Sequence, residues 1–362
     1  MSTRRLMFHL PWLLAFATVP AAAQPVQSAG PATSSTPAAS IDAATRKLVI
    51  DTALANMTKR YVFPDKVPAI AKALRAGLAG KYRSLADPQA FVDAVNADVE
   101  AIANDRHLRL MWSARPLPPL PDPDKIDPAM LKRETEMMAR TNFAIPKVEV
   151  LDGNIGYLKI DGFMPADDAG PTLAAAVAFL RNSDALIIDL RENGGGAPGT
   201  VAMLVSYLEP PRTLINTFHK RDQSADEQFW TFPYVAGGRW STDKPVFVLT
   251  SSNTASGGEE FAYDMQQLKR GTVVGGTTWG GANPGEIVPI NDHFAMFLPT
   301  GAAVNPISKT NWEGIGIKPD IPVDPARALD TARRLALQKL IEGATADRRT
   351  ELQNLLDAKP AN

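Results

Sequence analysis

Two short apolar runs, residues 185–190 and 246–250, each end in a turn of small and polar residues that leads into a stretch with helical patterning. Runs of five or six residues that are apolar on both faces suit strands buried on both sides, the environment of a parallel sheet between helices. The stretches around them alternate in the same way. Residues 155–160 read as a strand, 171–181 as a helix with Leu173, Val177 and Leu180 on one face, and 198–208 as a helix. Residues 257–269 read as a helix with Phe261, Met265 and Leu268 inward, and 272–275 and 294–298 as further core strands. This alternation predicts an α/β core with crossover connections over residues 145–325.

Ahead of the core the period is helical. Leu48, Val49, Ala53, Leu54 and Met57 recur at three-to-four spacing, as do Ile70, Ala71, Leu74 and Leu78, and then Phe91, Val92, Val95 and Val99. Tyr61-Val62-Phe63-Pro64 breaks the first helix from the second. Residues 41–140 therefore read as an N-terminal helical domain ending in the segment around His107, and residues 326–362 as a C-terminal helical tail. The proline-dense residues 116–123 must be extended. At the start, Arg4 and Arg5 precede an apolar stretch over 6–19 and then Ala21-Ala22-Ala23, the pattern of a signal peptide cleaved after residue 23. A membrane span needs ~20 apolar residues, and this run is shorter. Residues 24–40, rich in Pro, Ser, Ala and Gln, read as a flexible linker. These features place the mature chain in the periplasm or the medium, without a stable membrane anchor.

Composition removes several function classes. With 38 basic and 39 acidic side chains the net charge is -1, which lacks the basic footprint of a nucleic-acid binder. The absence of cysteine excludes disulfides, zinc–thiolate sites and thiol catalysis. Of the 4 histidines, none has a second histidine at i+3 or i+4, so a metal site has little support and no cofactor is expected.

Four segments carry chemistry. In Thr254-Ala255-Ser256-Gly257-Gly258-Glu259-Glu260 a serine follows a buried strand and opens a helix. The first-turn N–H groups and the positive end of the helix dipole lie beside it, a setting that stabilises an oxyanion. An N-cap serine is the plainer reading of the same position. Asp189-Leu190-Arg191-Glu192-Asn193-Gly194-Gly195-Gly196 ends a buried strand in a glycine turn that lets the backbone approach a ligand. It also fits a tight strand-to-helix turn, and the lysine of a phosphate-binding Walker loop is missing. In Asp105-Arg106-His107-Leu108 a histidine begins an alternating stretch, where it serves either as a base or as a structural residue. Glu313 lies in the folded loop Asn311-Trp312-Glu313-Gly314-Ile315-Gly316-Ile317-Lys318-Pro319-Asp320, able to orient a histidine or to stand as a solvated acid.

Taken in order over residues 45–325, these segments resemble the tail-specific (C-terminal processing) serine protease family. The start, with Tyr61-Val62-Phe63-Pro64 running into Asp105-Arg106-His107-Leu108, looks like the domain repeated in interphotoreceptor retinoid-binding protein. The resemblance implies a crotonase-like α/β core, with Ser256 as nucleophile, Gly257 as one oxyanion donor and Gly194 or Gly195 as the other. Members with a Ser–Lys dyad carry the lysine in the loop after the following strand, and here residues 275–282 contain none. Lys269 lies 13 residues down the same helix (269 − 256), ~20 Å away at ~1.5 Å per residue. The chain is instead similar to the tricorn-core branch, whose base is a histidine supported by a glutamate, matching His107 and Glu313. That branch has serine before the histidine, where this chain has Arg106, and Asp105 is a candidate replacement. Only 40 residues separate His107 from Val148 (148 − 107 − 1), too few for the peptide-binding PDZ domain of processing proteases. The resemblance thus implies an exported serine endopeptidase acting on peptides or proteins. The alternative is a non-catalytic binder of lipid- or retinoid-like ligands on the same scaffold.

Overall fold

The computed structural model describes residues 40–118, 127–221 and 223–358. The expected signal peptide (1–23), nearly all of the expected linker (24–40) and residues 119–123 of the proline-dense stretch lie outside the described residues. The chain divides into two units, residues 1–126 with 285–300, and residues 127–284 with 301–362. No helix among the described residues is long and apolar enough to cross a membrane.

The first unit opens with α1 (Ala43–Arg60), α2 (Val67–Ala79) and α3 (Pro88–Ala103), followed by β1 (Arg109–Trp112). Asp42 accepts the Thr45 N–H and Asp87 the Ala90 N–H, each at 2.7 Å, and so satisfy orphan donors of two first turns. α3 stops where Asn104 turns left-handed at φ 46°. The buried stripe of α1 runs through Val49, Ile50, Ala53, Leu54 and Met57, whereas Leu48, expected inside, is 52% exposed. Adjacent positions lie ~100° apart on a helix, and a stripe passing through 49 and 50 turns 48 outward.

The second unit begins with α4 (Pro128–Arg140), β2 (Lys147–Leu151), β3 (Ile155–Lys159), α5 (Ala166–Leu180), β4 (Ala185–Asp189) and α6 (Pro198–Leu208). It continues through β5 (Leu214–Lys220), β6 (Glu227–Trp230), β7 (Val246–Thr250), α7 (Gly257–Gln267) and β8 (Thr272–Gly275). The hairpin of β9 (Gly285–Pro289) and β10 (Phe294–Pro299) belongs to the first unit. β11 (Gly301–Val304), β12 (Ile321–Pro322), α8 (Ala328–Gly343) and α9 (Ala346–Asp357) complete the second.

The central sheet runs β12-β8-β7-β4-β3-β2, parallel throughout except for β2, which is antiparallel to β3. Every residue of β4 and β7 is buried, as the unbroken apolar runs require. Their two-residue period sorts the core. Leu186, Ile188, Val246 and Val248 pack with α5, α6 and α7, while Ala185, Ile187, Phe247 and Leu249 pack with α8 and α9. Ala328, Ala332 and Ala336, spaced by four, let α8 lie close against the sheet. The C-terminal helices are therefore a layer of the core. A second, antiparallel sheet has the order β11-β5-β6.

Two further sequence expectations change. Residues 294–298 do not join the central sheet, because β10 pairs with β1 and β9 in the first unit. Its Phe294, Met296 and Leu298 face the helices there and Ala295 packs on the other side, so it has the same doubly apolar signature as a core strand. The helix expected from residue 171 starts at Ala166 and carries Pro171 inside it, so that proline does not mark the first turn.

Candidate active site

Parallel neighbours β4 and β7 deliver two turns to the same end of the sheet, where open α/β folds place their ligands. The end of β4 is locked first. Asp189, fully buried, receives Arg191 Nε at 2.9 Å, Nη2 at 2.6 Å and the Tyr157 hydroxyl at 2.7 Å. Burial alone would raise its pKa, but the Arg191 guanidinium and the Tyr157 hydroxyl outweigh it and hold the carboxyl below its ordinary value. Asn193, also fully buried, shapes the glycine turn. Its Nδ2 donates to the Ile160 carbonyl at 3.0 Å, its Oδ1 accepts the Gly195 N–H at 2.8 Å, and its carbonyl accepts the Ala255 N–H at 2.9 Å.

The turn approaches the serine closely because it lacks side chains. Gly195 has φ 103°, and a Cβ there would lie 2.7 Å from Ser256 Cβ and 3.1 Å from Gly257 N. Gly196 has φ 136°, and a Cβ would meet the Phe163 carbonyl oxygen at 2.1 Å. A Cβ on Gly194 meets nothing within 4 Å. The Gly194 N–H donates to the Asp161 carbonyl at 3.2 Å and the Gly195 N–H to Asn193, so both candidates for the glycine turn's oxyanion donor carry bonds within the fold. Gly196 N lies 3.1 Å from where a Cβ on Gly257 would stand.

Ser256 occupies φ 49°, ψ −117°, a region costly for any residue with a Cβ, on the order of 1–3 kcal/mol. The turn is held from both sides. Thr254 Oγ1, buried, donates to the Leu190 carbonyl at 2.7 Å and accepts the Ser251 N–H at 3.0 Å. The Ser256 N–H donates to Glu259 Oε2 at 2.9 Å. α7 starts at Gly257, so the first-turn N–H groups and the positive dipole end sit at the serine.

Glu259, to which the sequence pattern assigns no role of its own, is the hub of the site. It has 0% exposure and also accepts the Thr278 hydroxyl at 2.5 Å, the Gly280 N–H at 2.6 Å and the Gly281 N–H at 2.9 Å. Burial pushes its pKa up while these donors pull it down. The Ser-x-x-Glu spacing of a capping box was the available signal. The next two N–H groups of the loop, Ala282 and Asn283, donate to Glu313 Oε2 at 2.5 and 3.0 Å. Trp312 Nε1 donates to the Gly281 carbonyl at 2.9 Å, and the Gly314 N–H to the Gly280 carbonyl at 2.9 Å. The loops carrying Glu313 and residues 278–283 thus form one laced body with the serine turn.

The second unit therefore brings together Ser256, Gly194, Gly195, Gly257 and the Glu313 loop, while His107 belongs to the first unit. There its N–H donates to Asp105 Oδ1 at 3.1 Å, and its ring stacks on Phe297 at 5.2 Å between centroids. Arg106 pairs with Glu100 at 3.5 Å. Of the other histidines, His219 pairs with Asp226 at 2.7 Å and His293 Nδ1 lies 2.9 Å from the Ser113 carbonyl oxygen. Lys269 lies beyond the end of α7. Among the described residues no group of three or more His, Asp or Glu side chains is placed to hold a metal.

Behind the serine, α7 buries two carboxyls one turn apart. Glu260 accepts Asn216 Nδ2 at 3.0 Å, and Asp264 accepts Asn305 Nδ2 at 3.2 Å. Burial pushes Glu260 up to about 7, and burial with the neighbouring Glu260 charge raises Asp264 well above its ordinary value.

Comparison with known proteins agrees with this architecture. Residues 154–323 match the profile of peptidase family S41, and residues 40–152 that of the N-terminal domain of peptidase S41 in eukaryotic IRBP. The chain is similar to a carboxy-terminal-processing protease of Bartonella bacilliformis, 28% identical over 180 residues that cover 48% of this chain and 40% of that protein. It is also similar to the tricorn protease of Thermoplasma volcanium, 27% identical over 212 residues, 55% of this chain and 18% of that one. The matched region thus spans less than half of either relative. A crystal structure of a candidate peptidase from Parabacteroides merdae superposes with TM-score 0.57 at 18% identity, covering 83% of this chain and 99% of that one. At that identity the likeness concerns the fold alone.

Two outcomes follow from the site's packing. Gly194→Ala should stay within about 0.5 kcal/mol of the parent in chemical denaturation. Gly196→Ala, which drives a Cβ into the Phe163 backbone, should lose about 3 kcal/mol or more. Equal stability of the two variants would contradict the turn geometry. The second outcome concerns pH. The folded pKa of Glu260 lies above its ordinary 4.5, so the fold holds the proton more tightly than the unfolded chain. Its contribution to stability is complete below about 4.5 and is lost as pH rises through about 7. Glu260→Gln should therefore gain on the parent by up to about 3 kcal/mol between pH 4.5 and pH 8. A difference in denaturation midpoint that does not change with pH would remove Glu260 as the titrating group.

Proposed function

The chain belongs to peptidase family S41, and from that premise we propose that it is an exported serine endopeptidase acting on peptides or proteins by acyl transfer. The observation that carries the proposal is Ser256 itself. Ser256 forms a capping box with Glu259, but a strained backbone and a glycine turn packed against its Cβ are more than a helix cap requires.

In this reading Ser256 Oγ attacks the substrate carbonyl, and His107 takes the hydroxyl proton and later passes it to the leaving amine. The Gly257 N–H, at the positive end of α7, binds the oxyanion together with the glycine turn 194–196. Since the Gly194 and Gly195 N–H groups already have acceptors, the reading favours Gly196 as the turn's donor. Glu313, fixed by the Ala282 and Asn283 N–H groups, orients the imidazole. Neither metal nor nucleotide enters the scheme. Export rests on the Arg4–Arg5, apolar and triple-alanine pattern of residues 1–23. N-terminal sequencing of the secreted protein should begin at Gln24, and a chain retaining Met1 would defeat that part of the proposal.

Labelling with a fluorophosphonate probe tests the chemistry. The parent should label and Ser256→Ala should not. His107→Ala should lose about a hundred-fold or more in rate, and in peptide hydrolysis the double variant should be scarcely worse than either single one, because such residues act as a unit. Glu313→Gln should lose less, and Lys269→Ala should keep most of its activity. A well-folded parent that does not label would instead favour the ligand-binding alternative.

A further inference from the structure

The mechanism leaves unused the turn Tyr61-Val62-Phe63-Pro64, which the sequence marks only as a helix break, and the buried carboxylate of Asp105. We propose that Tyr61, Asp105 and Phe297 are positioning residues that fix the main chain and the ring plane of His107. The proposal rests on the reading of His107 as the base.

Asp105 is only 1% exposed, and a buried carboxylate costs several kcal/mol unless its oxygens are satisfied. Two of its donors are the N–H groups of His107 at 3.1 Å and Leu108 at 3.3 Å, both on Oδ1. The Tyr61 hydroxyl donates to Oδ2 at 3.0 Å. This carboxylate therefore sets the path of the histidine's own backbone. The ring is set separately, since the imidazole stacks on Phe297 at an interplanar angle of 30°, which restricts rotation about χ2.

The same turn joins the two supports. Tyr61 caps α1 and reaches Asp105, while the next residue, Val62, donates its N–H to the Pro299 carbonyl at 3.0 Å, at the end of the strand that carries Phe297. Phe63 packs edge-on against Tyr61 at 5.7 Å, and Lys66 lies over the Phe63 ring and bonds the Ala103 carbonyl where α3 ends, just before the histidine segment. Tyr61 has 0% exposure, so the turn is a packed part of the first unit.

The test uses the full-length protein and the rate of fluorophosphonate capture, separated into kinact and KI. Phe297→Leu and Tyr61→Phe should each lower kinact between about ten- and a hundred-fold, the scale of a base displaced by ~1 Å, with KI unchanged. Phe297→Tyr, which keeps the stacking ring, should match the parent. In a His107→Ala background neither substitution should lower kinact further. If Phe297→Leu fails to fold, Tyr61→Phe, which removes a single oxygen atom, decides the question. Unchanged kinact in the single variants overturns the proposal, and so does an equal loss with and without His107, which would mark the effect as structural. A His107→Ala protein that labels at the parent rate refutes the base assignment itself, and the positioning role with it.

Discussion

A buried carboxylate that must keep all its donors is the constraint on which the serine turn depends. Glu259 is fully buried and accepts from the Ser256 N–H, the Thr278 hydroxyl and the Gly280 and Gly281 N–H groups. Leaving a charge of this kind short of a partner costs about 3–5 kcal/mol, more than a loop gains by local freedom. The serine turn and the loop after β8 therefore move together or not at all. Glu313 continues the same device one step along that loop, taking the Ala282 and Asn283 N–H groups. Two acids thus turn four consecutive N–H groups, residues 280–283, into the wall of the site.

That rigidity makes the unfavourable backbone of Ser256 tolerable. A residue at φ 49°, ψ −117° relaxes unless its surroundings over-determine it. Here Thr254 ties the turn to Leu190, Asn193 ties it to Ala255, and Gly195 and Gly257 admit no side chain between the two turns. The strain is balanced by packing that only glycine permits, which explains the glycines at 195–196 and 257–258. Asp189 and Arg191 secure the base of the arrangement by fixing the end of β4 before the glycine turn begins.

What was legible in the sequence follows from burial. β4 and β7 are buried on both faces and read directly as apolar runs, and α6 coincides with its expected span because its apolar stripe is continuous. β5, β6, β9 and β11 are short or half-exposed, and their hydrogen bonds rather than their composition define them. β10 was visible as a strand but not as a partner of β1, since an apolar run records that both faces are covered and not by what. The serine and glycine turns were evident from residue type and order. The role of Glu259 was recoverable from its spacing to Ser256, and the Asn193–Gly195 bond from an Asx turn, but the bonds of Asn193 to Ile160 and Ala255 were not, because they reach other elements and no local pattern encodes them.

Chain order places the β9–β10 hairpin between Asn283 and Glu313, and the bonds around it show why that position is stable. The Gly301 N–H donates to the Pro284 carbonyl at 3.0 Å, so the chain leaves and re-enters the second unit at adjoining residues. Closing a 16-residue excursion (285 to 300) costs little more than closing a shorter one, provided its two ends are held. Glu313 holds one end from beyond the other, since its carboxylate binds the Ala282 and Asn283 N–H groups just before the exit. Along the chain the hairpin that carries Phe297 is followed by β11 and then by the loop that carries Glu313. Phe297 and Glu313 thus lie on segments of one stretch of chain that fold into different units.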